Sequence, residues 1–199
     1  MPTGVAIRDP RQQLFAAAER ILLRDGPSAL TSRGVTAEAG CAKGVLHRHF
    51  TDFDDFLAEL VLDRAARIEG QVPALRATAG TGTVVGNLGV GLTAIFETVA
   101  VAVVSLVTFR DELRARLRQT WPRGVPLLSE ATAMIATYLE DERGRGRLTA
   151  DADIDALAHT LIGSGHLLFA DRTHTPTPEE VNGIVASVVA GALTSMPTR

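Results

Sequence analysis

Lysine and cysteine are almost absent from this chain: its 199 residues include one of each, Lys43 and Cys41. A single cysteine cannot form an intramolecular disulfide, and the N-terminal residues lack the charged-then-apolar pattern of a signal peptide. We therefore expect a reducing, cytoplasmic setting. The net charge of −3 does not exclude a nucleic-acid partner, because binding depends on how charge is distributed over the surface.

The chain also lacks strand-like alternation and an apolar run of membrane-spanning length. No segment alternates apolar and polar residues between turn signals, so no β-strand is predicted. Glu97 is the only charge between Arg76 and Arg110, but the unbroken apolar part, about 99–107, is shorter than the roughly 20 residues that span a bilayer. The sequence therefore predicts an all-α protein with a buried central helix and no membrane partner.

Capping residues and turn formers divide the chain into helices. We predict a first helix over about 10–24, two short helices between 31 and 50, and a fourth from Asp52, its N-cap, to about Ile68. The stretch 70–83, rich in Gly and Thr, is predicted to be a loop. Beyond it we expect one long apolar helix to about Val107, a charged segment over 110–118, and helices over about 127–142, 151–169 and 177–193. The predicted domains are 1–70 and 71–199.

The segment 28–50 has what a helix-turn-helix requires: two short helices, a small apolar core and a turn that tolerates an unusual backbone angle. Gly40 supplies the turn. The candidate core comprises Leu30, Val35, Ala39, Leu46 and Phe50, which leaves Lys43, Val45, His47, Arg48 and His49 to point outward. Within 31–50, Arg33, Lys43 and Arg48 stand against one acidic residue, Glu38, so the local charge favours phosphates.

The stretch RQQLFAAAERILLRDGPSALTSRGVTAEAGCAKGVLHRHFTDFDDFLAELV resembles the N-terminal domain of the tetracycline-repressor (TetR) family. The likeness is carried by Asp25-Gly26 after the first helix, Thr31 at the start of the second, the Ala39-Gly40 turn, and Leu46-His47-Arg48-His49-Phe50. Three positions depart from the family pattern: His47 replaces a tyrosine, Ala42 a hydroxyl residue, and Phe53 a lysine that touches phosphate. The resemblance implies an N-terminal three-helix DNA-binding domain, with its motif at about 31–50, followed by a helical ligand-binding and dimerisation domain.

The resemblance also assigns roles within the motif. It implies that Thr31, Lys43, His47 and His49 contact phosphates, that Val45 meets a thymine methyl group, and that Arg48 binds guanine. Arg33 joins this candidate surface, with an ordinary solvated charge as its alternative role, and the two histidines have the same alternative. The implied partner is double-stranded DNA carrying a pseudo-palindromic operator.

For the second half, the resemblance implies a small-molecule effector and a homodimer formed through the last two helices. Repression is the common mode of the family, so we expect a repressor that a small apolar ligand releases from its operator. The candidate ligand-lining residues are the bulky or aromatic ones, Leu92, Phe96, Phe109, Trp121, Met134, Tyr138, His166 and Phe169, each with plain core packing as its alternative.

The sequence leaves two other functions open. One is a helical small-molecule-binding dimer without DNA binding, which the departures at 42, 47 and 53 allow. The other is an all-α enzyme, but we find no convincing catalytic constellation: Glu140-Asp141-Glu142 is interpreted as a solvated charge run, and His159 and His166 lack a third metal ligand. We expect no catalytic residues, no metal and no cofactor.

Overall fold

The computed structural model describes residues 9–97, 100–121, 124–171 and 174–194. These residues form α1 (Pro10–Asp25), α2 (Ser32–Glu38), α3 (Val45–His49), α4 (Phe53–Glu69), α5 (Val72–Ala77), α6 (Val84–Phe96), α7 (Ala100–Phe109), α8 (Asp111–Thr120), α9 (Leu128–Gly144), α10 (Ile154–Phe169) and α11 (Pro178–Val189). Within the described ranges there is no β-strand, only an isolated bridge between Leu148 and Leu193. The prediction of an all-α fold is confirmed.

The chain divides into two compact units. The first comprises the described residues within Met1–Asp63 and Ala102–Arg123, so it combines α1–α3 and most of α4 with most of α7 and all of α8. Its core is aromatic, because the ring centroids of Phe15, Phe50 and Phe56 lie 5.1–5.8 Å apart. Such pairs contribute about 0.5–1.5 kcal/mol each beyond their buried area. They join α1 to the C-cap of α3 and to the first turn of α4.

The second unit comprises the described residues within Arg64–Val101 and Gly124–Arg199. In it α9 packs against α5, α6 and α10, and α11 packs against α6 and α10. Helix α6 therefore packs against three other helices, which accounts for its buried apolar side chains. Its buried side chains include Leu88, Leu92, Ile95 and Phe96.

Helix starts that depend on local capping match the prediction. The amide of Asp55 donates to Asp52 Oδ1 at 2.7 Å at the start of α4. Asp153 caps α10 by accepting from the amide of Ala156 at 3.0 Å. At the start of α11, Thr177 and Glu180 form a reciprocal capping box.

The loop predicted for 70–83 is wrong in its first half, where α5 forms. Pro73 lies in the first turn of this helix, a position that proline favours, and Leu75 is buried. Two of the glycines that suggested a loop, Gly80 and Gly82, follow the helix and have φ angles of 83° and 52°. Glycine is the residue that adopts such angles readily.

The prediction of one long apolar helix is also wrong, because α6 ends at Phe96 and a second helix, α7, begins at Ala100. The segment predicted only as charged, 110–118, belongs to α8. Acidic residues in its first turn and Arg118 in its last complement the helix dipole. In the described part of the chain, no single helix is long and apolar enough to cross a membrane; only the bent pair α6 and α7 together passes that test.

Candidate nucleic-acid interface and ligand cavities

The turn between α2 and α3 is built from local and long-range contacts. Thr31 caps α2, because its Oγ1 accepts from the amide of Gly34 at 3.0 Å. Gly40 has a φ of 66°, a left-handed conformation that favours glycine. Gln13 of α1 donates from Nε2 to the carbonyl of Ala39 at 2.9 Å. Helix α1 therefore holds the turn in place.

The end of α3 is held by α1 in the same way. Arg11 donates from Nη1 to the carbonyl of His49 at 3.2 Å, and its guanidinium lies 4.6 Å from the centroid of the Phe50 ring. Leu46 and Phe50 are both buried. These contacts leave the opposite face of the short helix free of packing.

The residues predicted to contact DNA lie on that free face and at the start of α2. Five of them are exposed and two are half-buried: the exposed ones are Thr31, Arg33, Lys43, His47 and Arg48, and the half-buried ones are Val45 and His49. Within the described part of the chain, Arg33, Lys43 and Arg48 form no ion pair. The three cations of the motif are therefore available to phosphates or bases.

The acidic residue of the motif, Glu38, is neutralised from α1. Arg20 Nε and Arg24 Nη1 lie 2.7 Å and 3.2 Å from its carboxylate oxygens. These two hydrogen bonds lower the pKa of Glu38. The surface around α3 is thus more positive than the sequence of 31–50 suggests.

Sequence reasoning missed the α1 residues that support the motif, namely Arg11, Gln13, Arg20 and Arg24. Their partners lie 14 to 38 positions away in the chain. Neither helical periodicity nor spacing indicates such partners. The one signal in the sequence was that α1 carries many polar side chains although one of its faces is buried.

Four of the eight predicted ligand-lining residues lie together, between α6 and α10. The ring of Phe96 lies 6.1 Å from that of His166 and 5.9 Å from that of Phe169, measured between centroids, and Leu92 packs beside them. Gly165 allows this approach, since a Cβ there would lie 2.7 Å from the Phe96 ring. His166 Nδ1 is buried and has no hydrogen-bond partner in the described residues, and burial lowers the pKa of this histidine.

Met134 lines a cavity of about 390 Å³ between α5, α6 and α9. Its other lining residues are Gln71, Ala74, Leu75, Thr78, Asn87, Val90, Gly91 and Ala94. The lining is mainly apolar with a few amide and hydroxyl groups, and it contains no charged side chain. This volume and composition are typical of a small-molecule site. A second cavity, about 330 Å³, lies between α6 and α11 and is bordered by Glu97 and Asn182.

Tyr138 is buried in a polar cluster rather than in an apolar cavity. Its hydroxyl donates to Glu142 at 2.5 Å and accepts from Asn87 Nδ2 at 3.1 Å. Burial and the hydrogen bond to Glu142 raise the pKa of Tyr138 well above its ordinary value. The interpretation of Glu140-Asp141-Glu142 as a solvated run is therefore wrong in part, because Glu142 is 0% exposed and Asp141 pairs with Arg76 at 2.7 Å.

The remaining two candidates, Phe109 and Trp121, belong to the first unit. Phe109 ends α7 with 87% of its surface exposed, and Trp121 is half-buried at the end of α8. The structure therefore does not place all eight candidates around one cavity. Among the described residues, no group of three His, Cys, Asp or Glu side chains is placed to hold a metal ion.

Comparison with known proteins places the helix-turn-helix in a family. The family model for bacterial regulatory proteins of the tetR family matches residues 14–60. No sequence among curated proteins matches the chain.

Solved structures of similar fold cover nearly the whole chain. A TetR-family transcriptional regulator from Agrobacterium tumefaciens is 13% identical, covers 93% of this chain and 98% of its own, and has a TM-score of 0.69. The transcriptional regulator FadR from Bacillus subtilis, in complex with stearoyl-CoA, is 14% identical, covers 90% and 98%, and has a TM-score of 0.67. GusR from Salmonella enterica is 14% identical, covers 95% and 98%, and has a TM-score of 0.66. The segment 14–60 is therefore similar to bacterial regulatory proteins of the tetR family, and the chain as a whole shares the all-α fold of these solved regulators.

Proposed function

We propose that this protein is a sequence-specific DNA-binding transcriptional regulator, a repressor that a small apolar ligand releases from its operator. The observation that carries the DNA part is the charge arrangement on the motif. Arg33, Lys43 and Arg48 lie exposed without ion-pair partners among the described residues, while Arg20 and Arg24 neutralise Glu38. Such a patch attracts the phosphate backbone although the whole chain is acidic.

Within this proposal some residues on and beside α3 contact bases, and others contact phosphates. Arg48 is assigned to guanine, through its two-pronged guanidinium, and Val45 to a thymine methyl group. Thr31, Lys43, His47 and His49 are assigned to phosphates, with Arg33 adding charge at the edge of the surface. His49 is half-buried whereas His47 is exposed, so we assign the weaker of the two phosphate contacts to His49.

A homodimer would place two copies of α3 on successive major grooves of a pseudo-palindromic site. Exposed small side chains on α10 and α11 support this part of the proposal; they are Ala156, Thr160, Gly163, Gly183, Ala186, Ser187 and Ala190. An added Cβ at Gly163 or Gly183 would meet no atom within 4 Å, so these glycines are not required by packing inside the chain. Small faces allow the helices of two subunits to approach closely in a four-helix bundle.

The cavity beside Met134 is the ligand site that we favour. Its lining lacks charge, which favours a neutral ligand with a polar end near Asn87 or Gln71. The FadR relative holds stearoyl-CoA, which supports a ligand with an apolar chain. Release requires that the ligand bind the DNA-free conformation more tightly than the DNA-bound one. Helix α4 is continuous from the first unit into the second, so it offers a route for this coupling.

The test is selection of bound duplexes from a random pool at two salt concentrations, with the wild type, Arg48→Ala and Arg118→Ala in parallel. Arg118 is exposed on α8, outside the motif, and controls for the loss of one arginine. We expect a pseudo-palindromic site with the wild type and the control, and relaxed preference at one position with Arg48→Ala, at a cost of about 1–3 kcal/mol. If no sequence is enriched and low salt gives no binding, the DNA function is wrong, and a ligand-binding dimer or an enzyme has to be considered instead.

A further inference from the structure

Arg116 of α8 bridges two carboxylates in the first turn of α4. Its Nη2 lies 2.8 Å from Asp52 Oδ2, and its Nη1 lies 3.5 Å from Asp55 Oδ1. One guanidinium therefore spans both acidic residues. The fork of the arginine suits this bridge, because its two terminal nitrogens each face a different carboxylate.

The remaining oxygens of the same carboxylates are hydrogen-bonded to the backbone. Asp52 Oδ1 accepts from the amide of Asp55 at 2.7 Å, and Asp55 Oδ2 accepts from the amide of Thr51 at 2.9 Å. Thr51 directly follows Phe50, the C-cap of α3. The two carboxylates that Arg116 holds are thus the same groups that fix the backbone between α3 and α4.

Arg110 holds the same turn from the start of α8. Its Nε donates to Asp54 Oδ1 at 2.7 Å, and its guanidinium lies 5.4 Å from the centroid of the Phe53 ring. Phe53 stacks on Phe56, with centroids 5.6 Å apart, and Phe56 belongs to the aromatic core. Arg110, the N-cap of α8, and Arg116 within α8 therefore both contact residues 52–55.

The ion pairs of Arg110 and Arg116 affect the backbone geometry and the local charge after α3 more than they affect the stability of the protein. Both arginine side chains are about one-third exposed, so each pair contributes little to the free energy of unfolding. Without the arginines, however, three carboxylates directly follow the helix proposed to enter the major groove. Nothing would then offset the repulsion between these carboxylates and the DNA phosphates. The segment between α3 and α4 would also lose its side-chain contacts with Arg110 and Arg116.

We propose that Arg110 and Arg116 are positioning residues for DNA recognition: through Asp52, Asp54 and Asp55 they fix the joint between α3 and α4. This role rests on the proposed DNA binding by α3. It assigns to Arg110 and Arg116, which lie 56 and 64 positions from their partners Asp54 and Asp52, a function in setting operator affinity without contact with the operator.

The experiment compares Arg116→Ala and Arg110→Ala with Arg114→Ala. Arg114 is the matched control, because it lies on the same helix with similar exposure but pairs with Asp111 of α8 itself. Each variant is measured for its affinity for the duplex selected with the wild type, for amide hydrogen exchange at Thr51 and Asp55 in the DNA-free protein, and for thermal unfolding.

We expect Arg116→Ala to bind the duplex roughly tenfold more weakly and to exchange both amides faster, with a Tm close to that of the control. Arg116→Lys should restore part of the affinity, since an ammonium group can reach one of the two carboxylates. If Arg116→Ala leaves exchange at Thr51 and Asp55 unchanged, the proposal is overturned even if affinity falls. The loss of affinity would then come from the lost positive charge and not from a change in the backbone between α3 and α4. Equal affinity losses in Arg114→Ala and Arg116→Ala overturn it as well. If the wild type selects no duplex, the DNA function fails, and unchanged exchange at Thr51 and Asp55 then rejects the joint independently.

Discussion

Tyr138 donates its hydroxyl to the carboxylate of Glu142, one turn further along α9, at 2.5 Å in the interior of the second unit. The same carboxylate accepts from the amide of Gly80 at 3.1 Å and from Arg147 Nη1 at 3.3 Å. Asn87 of α6 donates to the tyrosine oxygen. One buried carboxylate therefore ties the loop after α5 and helix α6 to α9.

Replacing Tyr138 by phenylalanine should lower the free energy of unfolding by about 1–3 kcal/mol, because it leaves Glu142 and Asn87 without their shared partner in a buried place. Urea denaturation measures the effect, with an unchanged m-value as a check on two-state behaviour. Thr137→Ala, the preceding residue on the same helix, is the control and should change stability by less than about 0.5 kcal/mol. A loss in Tyr138→Phe no larger than that of the control would show that the cluster is not cooperative.

Features that depend on short-range interactions could be predicted from the sequence, whereas those that depend on long-range contacts could not. The starts of α4, α10 and α11 were predictable because each depends on a capping side chain within three residues of the amide it binds. Glu142 was misjudged because its partners Gly80 and Arg147 come from other segments. A run of acidic residues looks the same in sequence whether its members face water or a buried partner.

The candidate site shows the same division. The outward residues of the motif followed from helical periodicity, which also fixes which side chains α3 buries. The arginines of α8 did not, since nothing in the sequence of 110–118 indicates that Asp52 and Asp54 are their partners. The ligand cavity could not be predicted either, because α5 was taken for a loop and it supplies Ala74, Leu75 and Thr78 to the wall.

His166 should make stability depend on pH in a defined direction. Burial lowers its pKa in the folded protein, while the unfolded chain has the ordinary value of about 6.5. As the pH falls below that value, the unfolded chain takes up a proton that the folded protein does not, so stability falls. The contribution is complete above the unfolded pKa and is lost as the pH drops toward the folded one.

Unfolding of the wild type and His166→Gln between pH 8 and pH 5.5 measures this directly, because the difference between the two curves cancels the other titrating groups. We expect the wild type to lose stability relative to the variant as the pH falls. His47→Gln, at an exposed position of α3, controls for the removal of a histidine. A difference curve that is flat, or that rises toward low pH, would contradict a histidine kept neutral by burial.

Ala186→Arg should separate the proposed dimer. Ala186 is exposed on α11, so a long charged side chain there can extend into solvent in a single subunit, whereas in the proposed dimer it would enter the helix interface between subunits. Sedimentation should show the wild type at twice the 21.1 kDa of the chain and the variant at that mass. Ala133→Arg, at an exposed position of α9, is the matched control and should stay dimeric. A dimeric Ala186→Arg would place the interface elsewhere.

Because its lining is uncharged, the cavity beside Met134 should bind neutral ligands more tightly than charged ones. Of two probes with the same chain, 1-decanol should bind more tightly than decanoate, because the lining offers amides and hydroxyls but no cation to offset the desolvation of a carboxylate. Ala74→Trp should abolish this binding, since Ala74 lines the cavity and an indole there fills much of its 390 Å³. Ala77→Trp is the matched control: it lies one turn further along α5, is exposed and does not line the cavity.

Calorimetric titration of both probes into the three proteins gives the affinities, and the shift in Tm on adding each probe gives an independent measure, because a ligand that binds only the folded state stabilises it by mass action. Decanol should raise the Tm of the wild type and of Ala77→Trp and leave that of Ala74→Trp unchanged. Equal shifts in all three proteins would move the ligand site away from α5. Tighter binding of decanoate would instead require a cation, which the cavity beside Met134 does not contain.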